Sequence, residues 1–146
     1  MAFLRERLAH IEGDLDELIY DHYGEAGRFA KQIGLDVDWK KLYLIEKTGS
    51  LYAFTIRDLG ALIGYAIMIV DEHHHNKGTK VATCDAIYII PERRGEMTAD
   101  FFEFIEEFLK EHGVKVLSFN LKKESNKLMP SLGFELNEYV YSKYIG

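Results

Sequence analysis

Apolar side chains recur through residues 14–33 at three- and four-residue steps, at Leu15, Leu18, Ile19, Tyr23, Ala26, Phe29, Ala30 and Ile33. That spacing lines one side of a helix with 3.6 residues per turn. It predicts an amphipathic helix capped by Asp14, with Asp16 and Glu17 at its positive end and Gly34 at its stop. A shorter helix is predicted around Trp39–Lys47, ending at Gly49. From Leu51 the period changes to two. Leu51–Arg57 and Leu62–Val70 read as strands joined by the short turn Asp58-Leu59-Gly60-Ala61. A polar loop, Asp71–Gly78, leads to a third strand, Lys80–Ile90. Residues 97–112 return to helical spacing (Phe101, Phe104, Ile105, Phe108, Leu109) and stop at Gly113. Val114–Leu121 reads as a strand, residues 124–131 as a short helical segment, and Phe134–Tyr144 as a final strand or hairpin. The order ααβββαβαβ describes a mixed α/β sheet. The crossover from Ile90 through a helix to Val116 makes one pair parallel.

Composition narrows the class. A chain of 146 residues, 47% hydrophobic and with two prolines, fits one ordinary domain with a real core over residues 1–146. The longest apolar run, Ala61–Val70, is far below the roughly 18 residues of a membrane span, so no membrane is expected. Met1–Arg7 mixes charges with apolar residues and does not resemble a secretory signal. A single cysteine, Cys84, excludes an internal disulfide and fits a reducing, cytoplasmic setting. The net charge of −6 is concentrated in residues 1–73, with 8 Lys/Arg against 13 Asp/Glu; the remainder has 10 against 11. This balance argues against general nucleic-acid binding and leaves any anion to be held locally.

The stretch Ala86–Ala99, AIYIIPERRGEMTA, offers such a place. An apolar strand ends at Pro91, and a turn with Arg93, Arg94 and Gly95 opens directly into a helix. Helix N-termini present unsatisfied N–H groups and about half a positive charge, which suits phosphate. Pro91 lacks a donor, so strand pairing is expected to loosen there.

This junction resembles the GNAT N-acetyltransferase superfamily, whose members carry strand–Pro-x-x-Arg-Gly-x-Gly-x-Gly/Ala–helix around coenzyme A. Arg94, Gly95 and Ala99 match the pattern, whereas Met97 stands where the middle glycine is usual. Glu124-Ser125-Asn126 followed by Leu132-Gly133-Phe134 resembles a second family segment, without its common tyrosine. Over almost its full length the chain is also similar to small GNAT proteins encoded by phages and prophages. The supporting pieces are His22-Tyr23-x-Glu25, Asp38-Trp39, Gly64-Tyr65-Ala66, Asp85 and the ending Tyr139-x-Tyr141-Ser142-Lys143. The resemblance implies an acyl-CoA N-acyltransferase fold: a mostly antiparallel sheet, one parallel pair splayed at the cofactor site, and flanking helices. It implies acetyl-CoA as cofactor. Backbone amides near Ile89 and Ile90 would hold the pantetheine, while Arg93, Arg94 and the segment Gly95, Glu96, Met97, Thr98 and Ala99 would take the pyrophosphate. Ser125 and Asn126 would line the other side.

The implied reaction is direct attack of a primary amine, on a small molecule or a protein, and needs a base because the acceptor arrives as an ammonium ion. His22 and Glu25 share a helix face. Asp85 is the only charge in the otherwise largely apolar Val81–Ile90. A Glu25/Asp85 pair could bind the amine and take its proton; equally, Asp85 and His22 could satisfy each other in the core. His75 is a further candidate over the same cleft, and Tyr141 is carried as a candidate from the terminal motif. Three consecutive histidines, 73–75, point to alternate faces when extended, so no metal is expected. Cys84 reads as inert core. Family members often form homodimers, although no segment here marks an interface. Two other readings stay open: a catalytically silent module of the same fold, and a phage enzyme that modifies a nucleobase or a host defence protein.

Overall fold

The computed structural model describes residues 1–121 and 127–146. Five strands lie side by side in chain order: β1 (Ala2–Glu6), β2 (Leu51–Asp58), β3 (Ala61–Glu72), β4 (Lys80–Ile89) and β5 (Val114–Ser118). The first four are antiparallel neighbours, and β5 runs parallel to β4. Helices α1 (Leu8–Ala26) and α2 (Trp39–Lys47) cover one face of the sheet. Helix α3 (Thr98–Glu111) covers the other and makes the crossover, and a four-residue α4 (Leu128–Ser131) follows β5. This is the mixed sheet that the sequence pattern predicts.

Each face buries its own layer. On one side Leu8, Ile11 and Leu15 pack on Ala53, Tyr65 and Tyr88. On the other, Phe101, Ile105 and Leu109 pack on Phe54, Ala66, Met68 and Ala82. Ile63 to Met68 are buried without interruption, because β3 is covered on both faces. Each large side chain removed from water here contributes about 1.5–3 kcal/mol.

The ends of α1 differ from expectation. It begins at Leu8, preceded by the edge strand β1, because the Leu8 N–H donates to the buried Glu46 carboxylate at 2.9 Å. That partner lies 38 positions away and leaves no local capping signal. Asp14 is an interior helical residue whose carboxylate pairs with Arg57 at 2.9 Å. The helix stops at Ala26, since the backbone turns at Gly27, where a Cβ would lie 2.4 Å from the Tyr23 carbonyl oxygen. Phe29 and Ile33 continue the apolar spacing in turns, with the Tyr23 hydroxyl donating to the Ile33 carbonyl at 2.5 Å.

The C-terminal part also departs. β5 ends at Ser118, short of Leu121, and residues 134–146 form no strand or hairpin. Tyr139, Val140 and Tyr141 stand consecutively, so no single face collects them, and they remain 77%, 60% and 92% exposed. The tail is held at its start by Phe134 against Phe102 and Phe119, and near its end by Arg28 to Ser142 at 2.5 Å. The predicted helical segment at 124–131 is present as Leu128–Ser131; residues 124–126 lie outside the described residues.

Candidate active site

Pairing between β4 and β5 runs from Lys80↔Val114 to Thr83↔Ser118 and stops, while β4 continues to Ile89. β5 ends at that same Ser118, so among the described residues β4 has no strand neighbour on this side from Cys84 on, well before Pro91, where loosening was expected. The register adds a bulge here. Ile67 pairs with Ala86 and Met68 with Cys84, so Asp85 is an extra residue, and such a bulge bends its strand. Beyond the bulge this side of β4 stays without a strand neighbour among the described residues. The Ile90 amide is spent in the sheet, donating to the Ile63 carbonyl at 3.0 Å, which corrects its expected role at a cofactor. Ile89, one residue earlier, turns its backbone groups the other way, toward that side. Its carbonyl accepts from Arg94 Nε at 2.7 Å.

A 3₁₀ turn, Pro91–Arg93, and residues 94–97 connect β4 to α3. Gly95 takes φ +84°, a conformation that favours glycine, and a Cβ built there meets nothing within 4 Å. Its amide donates to Thr98 Oγ1 at 3.1 Å. The first intrahelical bond runs from the Phe101 N–H to the Met97 carbonyl, so the amides of Met97, Thr98, Ala99 and Asp100 are the unsatisfied donors of the helix start. Met97 departs from the family pattern without filling this space. Its side chain is 1% exposed and packs in the α3 core layer.

Both arginines carry carboxylate partners. Arg93 donates to Asp58 at 2.6 Å and to Glu96 at 3.3 Å. Arg94 makes a two-point contact with Glu25, at 2.6 and 2.8 Å, and its guanidinium lies 5.2 Å from the centre of the Tyr88 ring. Glu25 thus stands with Arg94 rather than forming the expected pair with Asp85.

On the α1 side, His22 Nδ1 lies 2.5 Å from the Tyr65 hydroxyl, and its ring stacks on Tyr88 at 5.0 Å. Burial first, then the nearby Tyr88, Asp85 and Cys84, push the Tyr65 hydroxyl far above its ordinary pKa. Tyr65 thus contacts the His22 ring and feels the charge of Asp85. Burial alone raises the Asp85 carboxyl. Burial and Asp85 push the Cys84 thiol up to about 12, so it stays protonated at neutral pH. Tyr65 and Tyr88 were not candidates in the sequence; a hydroxyl inside an apolar strand was the available signal.

The remaining candidates lie elsewhere. Tyr141, 92% exposed on the tail, is not packed with these residues. Ser125 and Asn126 lie outside the described residues. His73, His74 and His75 sit in the β3–β4 connection, at the opposite end of the sheet from Ile89, so His75 does not border the cleft. Among the described residues no group of three His, Cys, Asp or Glu side chains is placed to hold a metal ion. Among them, too, no helix is long and apolar enough to cross a membrane.

No family model and no curated protein matches the chain. Solved structures do. Glucosamine-6-phosphate N-acetyltransferase from Arabidopsis thaliana superimposes with a TM-score of 0.73 at 13% identity, covering 99% of this chain and 98% of the other. An aminoglycoside N-acetyltransferase solved in complex with CoA gives 0.69 at 17% identity, covering 99% of both. A transcriptional regulator from Bacillus halodurans C-125 gives 0.77 at 14% identity, again covering 99% of both. The chain has the fold of the GNAT N-acetyltransferases, with one parallel strand pair, β4 and β5.

Proposed function

We propose that this protein is an N-acetyltransferase that moves an acetyl group from acetyl-CoA to a primary amine by direct attack. The observation that carries the reading is the edge of β4 left, among the described residues, without a strand neighbour beyond Thr83. Along it lie the bulged, partly desolvated Asp85 and the outward-turned backbone of Ile89, and it leads into the first-turn amides of α3. The residues present fit the cofactor: Gly95 leaves open space, Met97 stays in the core, and Arg94 is anchored on the Ile89 carbonyl. When bound, acetyl-CoA supplies a thioester carbonyl open to an amine.

The chain's own residues supply the rest. Arg94 and the amides of Met97 to Asp100 bind the diphosphate; Arg93, tied to Asp58, braces the turn. The Ile89 amide binds along this edge and places a donor where negative charge develops on the thioester oxygen. Asp85 takes the proton of the ammonium, its raised pKa bringing it nearer the working pH of a base. Tyr65 and Tyr88 orient the His22 ring. The net charge of −6 favours a cationic acceptor, and the reducing setting suggested by Cys84 agrees with a cytoplasmic enzyme.

The test is acetyl-CoA thiol release against a panel of amines, with calorimetric titration of CoA alongside. Turnover that falls in Asp85→Asn is the expected result. CoA binding without turnover on any amine would favour a silent module of this fold, and no CoA binding would overturn the reading.

A further inference from the structure

Arg94 and Glu25 carry opposite ligand preferences but face each other. The guanidinium fits a diphosphate, the carboxylate fits an ammonium ion, and in the structure each satisfies the other through two hydrogen bonds of 2.6 and 2.8 Å. We infer that this pair is a latch worked by counterion exchange: the diphosphate of the cofactor displaces Glu25 from Arg94, and the released carboxylate then turns to the cationic acceptor. The inference rests on the acetyltransferase reading and assigns an order to it.

Three features support the exchange. The side chains are 38% and 41% exposed, so water reaches the contact and the pair is readily opened. Arg94 remains anchored without Glu25, because its Nε donates to the Ile89 carbonyl and its plane lies over Tyr88. The guanidinium therefore keeps its place while changing its anion. Glu25 sits one residue before the end of α1, next to the turn at Gly27, where the helix backbone itself gives way. Neither bond is covalent, and the exchange conserves charge: a diphosphate replaces a carboxylate on the same cation.

The experiment compares CoA with pantetheine, which lacks the diphosphate, by calorimetry. Glu25→Gln is expected to bind CoA about three- to tenfold tighter than the wild type, since the competing anion is gone. Arg94→Ala is expected to bind CoA more weakly, and adding Glu25→Gln to it is expected to bring no further gain. Pantetheine affinity should be the same in wild type and Glu25→Gln. In the wild type, the side-chain carboxyl ¹³C resonance of Glu25 should move on saturation with CoA and stay put with pantetheine. Unchanged or weaker CoA binding in Glu25→Gln, with Arg94→Ala still weakened, would overturn the latch and leave the cofactor site standing. Loss of the Arg94→Ala effect as well would instead remove the diphosphate site itself.

Discussion

His22 Nδ1 and the Tyr65 hydroxyl meet at 2.5 Å across the interface between α1 and β3. Burial raises the pKa of Tyr65, so the hydroxyl keeps its proton, and the tautomer of the ring decides which of the two groups donates. Tyr65→Phe removes that partner. The expected outcome is a stability loss of about 1 kcal/mol and a changed ¹⁵N tautomer signature for the His22 ring. An unaltered ring spectrum would show that Tyr65 does not set the tautomer.

Asp85 gives a pH signature of known sign. Its folded pKa is raised, so the folded state binds the proton more tightly than the unfolded chain. Ionisation therefore costs stability, fully so above the raised pKa, and the cost vanishes below the ordinary aspartate range. Asp85→Asn is expected to be more stable than the wild type at pH 7, with the gap closing on acidification. Its turnover should fall by roughly 10²–10⁴-fold if Asp85 is the base. Denaturant melts across pH, read beside the rate profile, separate the two effects.

Met97 is a core residue in a position where the family pattern has glycine. Met97→Ala is expected to cost about 2–5 kcal/mol, visible as a lower melting temperature, because it empties space beside Phe101 and Ile105. CoA affinity of the folded variant should change little. A large gain in affinity would mean that Met97 obstructs the cradle after all.

Glu6 shows the opposite titration. Burial works to raise its pKa, but hydrogen bonds from Arg57 and Thr55 and the charge of Arg57 outweigh it and bring the value below the ordinary range. The stabilisation is present above the ordinary glutamate pKa and is lost as pH falls through the folded one. Glu6→Gln should cost about 1–2 kcal/mol at pH 7 and flatten the acid limb of the stability curve.

Much of this architecture is legible in the residues. The switch from helical to two-residue spacing places α2, β2, β3, β4 and α3 within a residue or two, although β2 and β3 end up buried on both faces. What escapes the sequence is settled by distant partners. Leu8 starts α1 on the Glu46 carboxylate, and β1 exists because Ala2–Glu6 pairs with Ala53–Arg57. The terminal residues imitate a strand but find no surface for one. In the site, the Arg94 turn and the isolated charge of Asp85 are visible as chemistry. The bulge at Asp85, the contact of Arg94 with Glu25 and the role of Tyr65 depend on register and on tertiary approach, which no local spacing encodes.

The Glu46 carboxylate that receives the Leu8 amide also has a kinetic meaning. The β2–β3–β4 meander consists of neighbouring hairpins and closes small loops, whereas the entry to α1 waits for a group 38 residues downstream. During synthesis the helix bearing His22 and Glu25 leaves the ribosome early yet lacks its N-terminal acceptor until α2 has followed. The corner that would do the chemistry is thus expected to set late, on a sheet already formed, and pulse-labelled hydrogen exchange should find the amides of α1 protected after those of β3.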